Sequence, residues 1–312
     1  MPEEINGTNR GADRFDIKNR SLRILLITAV SNMKVERVFN RVLRRLVTAS
    51  VCLLISLPAI AHDHESTAEL IIQALAGDHR SDKNKARDRY RHPLETLTYF
   101  GLKPNMTVVE ISPGGGWYTE ILAPVLKDHG KFYAAGFDPE SNIDFFKKSV
   151  KRFESKLASN DVYSNVQVTI LAAPHKTNIA PEGSADMVLT FRNIHNWMSA
   201  GTADDVYAAM YKALKPGGIL GVVEHRGNPE VEQDPKAESG YVNQDYAIAL
   251  AEKAGFEFVG NSEVNANPKD SKDHPKGVWT LPPSLRLGDV DKEKYLAIGE
   301  SDRYTLKFIK PK

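Results

Sequence analysis

Cysteine is almost missing from this chain of 312 residues, where Cys52 is the only one. Because Cys52 falls in a segment expected to be removed, the mature part has no disulfide framework, no thiolate metal site and no cysteine nucleophile. Long apolar runs are scarce too. The stretch 46–60 is shorter than the ~20 residues of a membrane-spanning helix. Charge of one sign is also lacking, with 41 Lys and Arg against 40 Asp and Glu.

What is present at the start is a signal. Lys34, Arg37, Arg41, Arg44 and Arg45 precede an apolar stretch broken by Pro58, which ends at Ala59-Ile60-Ala61. A positive region, an apolar region and a small-x-small site describe a secretory signal peptide over 33–61, cleaved before His62. The product is expected to be periplasmic or secreted, touching the membrane only through the signal, or membrane-anchored if uncleaved. Residues 1–32 precede a second good start at Met33 and read as an over-extended start or a disordered segment. Arg44-Arg45-Leu46-Val47 loosely fits a twin-arginine signal, and Ala49-Ser50-Val51 before Cys52 is a poor lipoprotein site.

Residues 1–61 hold ten of the basic and five of the acidic residues, which leaves 31 against 35 in the remainder. A mildly acidic mature protein has no electrostatic footprint for nucleic acid, and no such partner is expected. Cleavage would expose His62-Asp63-His64, a terminus type that chelates Cu(II) but also arises by chance. No metal site is expected.

From Ser66 the pattern AELIIQAL has helical spacing with Ser66 as its cap, and a second helix follows through Leu94, Leu97 and Phe100. These N-terminal helices, in 62–100, should cover a ligand site, and 101–312 forms the main domain. Beyond Pro104 strands and helices alternate, the signature of a parallel sheet. Strands are expected over 107–111, 131–136, 166–171, 185–191 and 219–224, with helices near 118–126, 142–157 and 203–214. A helix near 245–254 follows, then an antiparallel pair, 257–264 and 304–309. The connection between that pair is long and Pro-rich, with Trp279 inside it, and is expected to pack as a lid or ordered excursion.

The chemistry concentrates in Val108-Val109-Glu110-Ile111-Ser112-Pro113-Gly114-Gly115-Gly116, a buried strand ending in an acid, then glycines, then a helix. Glycines let a ligand approach the backbone, and the helix N-terminus favours an anionic group. A dinucleotide pattern G-x-G-x-x-G starting at Gly114 would need its third glycine at Thr119, and that glycine is missing. A second signal, Leu214-Lys215-Pro216-Gly217-Gly218, ends a helix and turns into an apolar strand.

In this order and spacing, with Asp186-Met187-Val188-Leu189 between them, the motifs resemble the class I S-adenosylmethionine-dependent methyltransferases over about residues 88–310. They are most like exported bacterial methyltransferase-like proteins. Phe191-Arg192-Asn193 is also similar to quinone-biosynthesis methyltransferases. The resemblance implies a Rossmann-like α/β fold, a seven-stranded, mostly parallel sheet in the order 3-2-1-4-5-7-6 with helices on both faces. It further implies S-adenosylmethionine as cofactor and a small-molecule methyl acceptor. Carried over by position, Glu110 supports the loop and the cofactor's amino-acid end, beside Ser112, Gly114, Gly115 and Gly116. Ser112 stands where the family has its first glycine. The acid expected near 136 is replaced by Gly136, and Asp138, two residues on, is either the ribose ligand or a helix cap. No acid stands near 172.

Asn193, His195 and Trp197 follow the fourth strand, at the edge where open α/β sheets bind ligands. Asn193 is a candidate for cofactor and catalysis. His195 is a candidate proton acceptor, or a locally bonded loop histidine. Trp197, His225 and Tyr90 are candidate substrate contacts. Two other readings stay open: an exported nucleoside-binding module without catalysis, and a nicotinamide-dependent oxidoreductase.

Overall fold

The computed structural model describes residues 66–312. The expected signal at 33–61, the segment 1–32, Cys52 and the His62-Asp63-His64 terminus lie outside the described residues.

Ser66 opens helix α1 (Thr67–Ala76) with a reciprocal capping box: its hydroxyl accepts the Glu69 N–H while Glu69 accepts the Ser66 N–H at 2.8 Å. Two short helices, α2 (Asp82–Lys85) and α3 (Asp88–Arg91), lead into α4 (Pro93–Phe100). His92 takes a left-handed φ of 38° at that corner. Pro93 then starts α4 at a position where its missing N–H costs nothing.

The alternation beyond Pro104 is real. It runs β1 (Thr107–Ile111), α5 (Thr119–Leu126), β2 (Lys131–Gly136), α6 (Asp144–Leu157), β3 (Val166–Ile170) and β4 (Ala185–Phe191). It continues with α7 (Ile194–Ala200), α8 (Ala203–Ala213), β5 (Leu214–His225), α9 (Gln244–Lys253), β6 (Glu257–Ser262), α10 (Lys292–Ile298) and β7 (Arg303–Ile309). The sheet has seven strands in the order 3-2-1-4-5-7-6. The first five are parallel, and β7 runs antiparallel between β5 and β6. This is the expected fold.

β1 and β4 are buried along almost their whole length because helices cover both faces, the usual condition of a parallel sheet. Val108 packs on one side with Phe100, Ile121 and Leu122, whereas Val109 and Ile111 pack on the other with Ile194, Tyr207 and Met210. Each such large side chain contributes about 1.5–3 kcal/mol by leaving water. The alternation also puts Glu110 on the Val108 face, under α5.

Some strand bounds differ from the expected pattern: β6 ends at Ser262 rather than at 264. β5 begins at Leu214 rather than Ile219, because Gly217 N–H donates to Lys310 O at 2.7 Å and Lys310 N–H donates to Gly218 O at 2.9 Å, stitching the turn to β7. The long connection before β7 is an ordered excursion, one of the two expected alternatives, and includes a 3-10 turn (Gly277–Thr280) and α10. Buried Asp270 pins it by accepting from Tyr241 Oη at 2.9 Å and from the Asp302 N–H at 2.8 Å. No helix of the described residues is long and apolar enough to cross a membrane.

Candidate active site

The carboxyl ends of β1 and β4 meet where the strand order reverses, so the loops above them diverge and leave a crevice. Ser112, Gly114 and Gly116 all take positive φ, at 47°, 58° and 74°. A Cβ on Gly114 or Gly115 would meet nothing within 4 Å, so this part of the loop faces open space. At Gly116 a Cβ would run into Phe153 and Lys156 of α6, so that glycine serves packing.

Glu110 is buried and accepts a hydrogen bond from the Thr119 hydroxyl at 2.6 Å. Burial pushes its carboxyl up to about 7, against the opposing pull of Thr119, Arg192 and Lys156. It lines a cleft of about 280 Å³ with Gly114, Gly115, Trp117, Tyr118 and Asn193. Tyr118 stacks on Phe191 with ring centroids 3.4 Å apart, which makes the floor of this cleft rigid. A second cleft, of about 200 Å³, shares Ser112, Pro113 and Gly114 and is lined mainly by apolar groups, among them Phe137, Pro139, Val168 and Ile170. Here too a Cβ on Gly136 would meet nothing within 4 Å.

Asp138 lines neither cleft, although its neighbours Phe137 and Pro139 line the second. One of its oxygens accepts the Glu140 N–H at 3.0 Å and the other pairs with Lys176 at 2.7 Å, so it holds its own loop together. Asn193 lines the first cleft, and its amide donates to Ile111 O and to Thr190 Oγ1, both at 3.1 Å. Those bonds tie the end of β4 to the end of β1.

His195 belongs to α7, whose first N–H, from Ile194, donates to Glu224 Oε2 at 2.6 Å. Glu224 Oε1 accepts the His225 N–H at 2.8 Å and stands 3.2 Å from His195 Nδ1. A fully buried carboxylate thus orients the imidazole and favours the proton on Nδ1, leaving Nε2 as the basic atom. His225 Nδ1 lies 2.5 Å from Ser301 Oγ. Burial, the neighbouring His195 and three arginines push the His225 pKa well below its ordinary value, so this ring is neutral.

Both histidines line a third cavity, of about 250 Å³, which Trp279 and Pro282 of the long excursion help to close. Arg87, Arg91 and Arg192 line both this cavity and the glycine-loop cleft, so the two adjoin across a wall of guanidinium groups. Glu300 pairs with Arg87 at 2.6 Å, with Arg91 at 3.1 Å and with Arg303. Although burial opposes its ionisation, these cations hold the Glu300 carboxyl far below its usual range.

The structure therefore brings together Glu110, Ser112, Gly114, Gly115, Asn193, His195 and His225. Trp197 lies in the core, edge-on to Tyr207, and lines none of these three cavities. Tyr90 is displaced too: its carbonyl accepts from Arg303 at 3.0 Å, while Arg91 reaches the cavity. The sequence reading missed Glu224, Glu300, Arg87 and Arg303, each of which has a partner remote in sequence: Ile194 for Glu224, Arg87 for Glu300 and Tyr90 for Arg303. Glu224 at the end of an apolar strand was the one visible signal.

His195, Glu224 and His225 offer ligand atoms within 4.8 Å of one another, enough for a cation in principle. Their surroundings oppose it. Glu224 already serves two backbone N–H groups, and Arg91, Arg192 and Arg303 line the same cavity as both histidines.

No protein-family model and no curated protein matches the chain. Among solved structures it is similar to geranyl diphosphate C-methyltransferase from Streptomyces coelicolor A3(2), at 11% identity and a TM-score of 0.50, over 76% of this chain and 87% of that one. It is also similar to a SAM-dependent methyltransferase from Aquifex aeolicus, at 16% identity and a TM-score of 0.48, over 72% and 93% of the two chains. The fold is that of the class I methyltransferases.

Proposed function

We propose that the protein is an S-adenosylmethionine-dependent methyltransferase acting on a small molecule. The observation that carries this reading is the glycine loop, whose open Cβ positions at Gly114 and Gly115 lie beside the buried carboxyl of Glu110. The residues fit the cofactor. Glu110 suits an ammonium group, the apolar cleft by Gly136 suits a nucleobase, and the stacked Tyr118 and Phe191 rings give the polar cleft a fixed wall.

When bound, the cofactor supplies an electrophilic methyl group on a sulfonium that leaves as a neutral thioether. Everything else falls to the chain. Asn193 holds the β1 and β4 edges in register, which fixes the line of approach between the two cavities. His195 Nε2 accepts the proton that an O–H or N–H nucleophile gives up as its bond to the methyl carbon forms, and Glu224 stabilises the resulting imidazolium. Export of the mature chain after cleavage near Ala61 is part of the same reading, carried by the sequence.

Calorimetry with S-adenosylmethionine, S-adenosylhomocysteine and NAD is the test. Binding of the first two and not the third is expected. NAD binding alone would make the protein an oxidoreductase, and nucleoside binding without turnover in a mass-shift product screen would make it a binding module.

A further inference from the structure

Resting on that reading, we propose that the cavity of His195 and Trp279 is the acceptor site and that the acceptor is a small organic oxyanion. Its carboxylate or phosphate would sit on Arg192, and its apolar body would lie against Trp279 and Pro282.

Charge carries the argument. Arg87, Arg91, Arg192 and Arg303 line this cavity against the single carboxylate of Glu300. Three of them are spent on Glu300. Arg192 is not: its guanidinium has no hydrogen bond and no ion pair among the described residues. Burial and the nearby Arg303 push the Arg192 pKa down to about 10, which still leaves it charged at neutral pH. A half-buried guanidinium that lines a cavity with no ion pair of its own is a ready partner for a carboxylate or phosphate.

The backbone points the same way. Arg192 takes a left-handed φ of 62°, a conformation that disfavours a side chain with a Cβ, at the junction of the two cavities. Strain held at such a junction accords with a positioned functional side chain. The cofactor does not remove the surplus. Its ammonium is matched by Glu110 and its carboxylate by its own sulfonium, so it brings no net negative charge to the arginines.

The rest of the cavity selects a body for that anion. Trp279 is edge-on to His195 at 5.9 Å between ring centroids, and the guanidinium of Arg286 stacks 4.4 Å from the Trp279 ring. The indole is thus a fixed apolar wall next to the proposed base. About 250 Å³ admits a molecule the size of one substituted ring.

The test is calorimetry of the full chain with benzoate, phenyl phosphate and the neutral isostere benzamide, each with and without saturating S-adenosylhomocysteine. At least one anion is expected to bind tenfold or more tightly than benzamide under both conditions, and the tighter of the two identifies the recognised group. Arg192→Met should remove at least tenfold of the anion affinity. Ser284→Glu, at an exposed position on the cavity lining, should weaken the anions while sparing benzamide. Equal affinity for benzamide, displacement of the anions by S-adenosylhomocysteine, or undiminished anion binding by either variant would each overturn the proposal. If S-adenosylhomocysteine fails to bind while benzoate binds through Arg192, the anion site stands and the methyltransferase reading falls.

Discussion

Thr119 donates its hydroxyl proton to Glu110 at 2.6 Å, joining the strand before the glycine loop to the helix after it. Position 119 is where a dinucleotide pattern would carry its third glycine. A hydroxyl there does something a glycine cannot: it pins a buried acid beside the ligand cleft. Thr119→Val keeps the shape and removes the donor, so Glu110 loses its one short side-chain bond. A stability loss of about 1–3 kcal/mol, seen in denaturant titration, and weaker S-adenosylhomocysteine binding at pH 7 are expected.

Burial raises Glu110 from its ordinary 4.5 to about 7, so the folded protein keeps a proton there that the unfolded chain has already released. Its contribution to stability is therefore greatest below 4.5 and declines as pH rises through 7. A ligand ammonium beside Glu110 favours the ionised form, and binding at pH 7 should expel about half a proton. Calorimetry in two buffers of different ionisation enthalpy measures this. Release should fade above about pH 8.5.

Ser112 occupies a left-handed conformation with a φ of 47°. A side chain there costs about 1 kcal/mol or more relative to glycine. Ser112→Gly should therefore raise the melting temperature by about 2–4 °C and leave S-adenosylhomocysteine affinity within a factor of about two, since its Cβ is not required by the loop.

His195→Gln removes the proposed proton acceptor while keeping a polar side chain on α7. With an acceptor found by mass shift, kcat should drop by about 10²–10⁴, and S-adenosylhomocysteine affinity should stay unchanged. Normal turnover would remove His195 from the mechanism.

Sequencing the native product should find His62 as its first residue. Recovery of residues upstream of Met33 would refute the over-extended start.

The bounds of β1, β2 and β4 were legible residue by residue, because continuous apolar runs between turn signals leave little choice of register. α7 was not. It spans two turns only, and its start is set by Glu224, a partner 30 residues away. Asn193 and His195 were found from their place after β4, whereas Trp197, equally well placed in sequence, turns inward to Tyr207. Two positions along the helix separate the side chain that lines the cavity from the one that faces the core. The arginine wall was the least legible part: Arg87 meets Glu300 across 213 positions, and no local pattern encodes that pairing.

That same pairing has a consequence for biogenesis. Arg87 and Arg91 emerge early and Glu300 and Arg303 emerge last, so a nascent chain carries two arginines without their shared counter-ion until the segment of Glu300 and β7 docks. Competence for ligands must then arrive late and all at once, and a chain threaded through a translocon unfolded would have to acquire its cofactor on the far side.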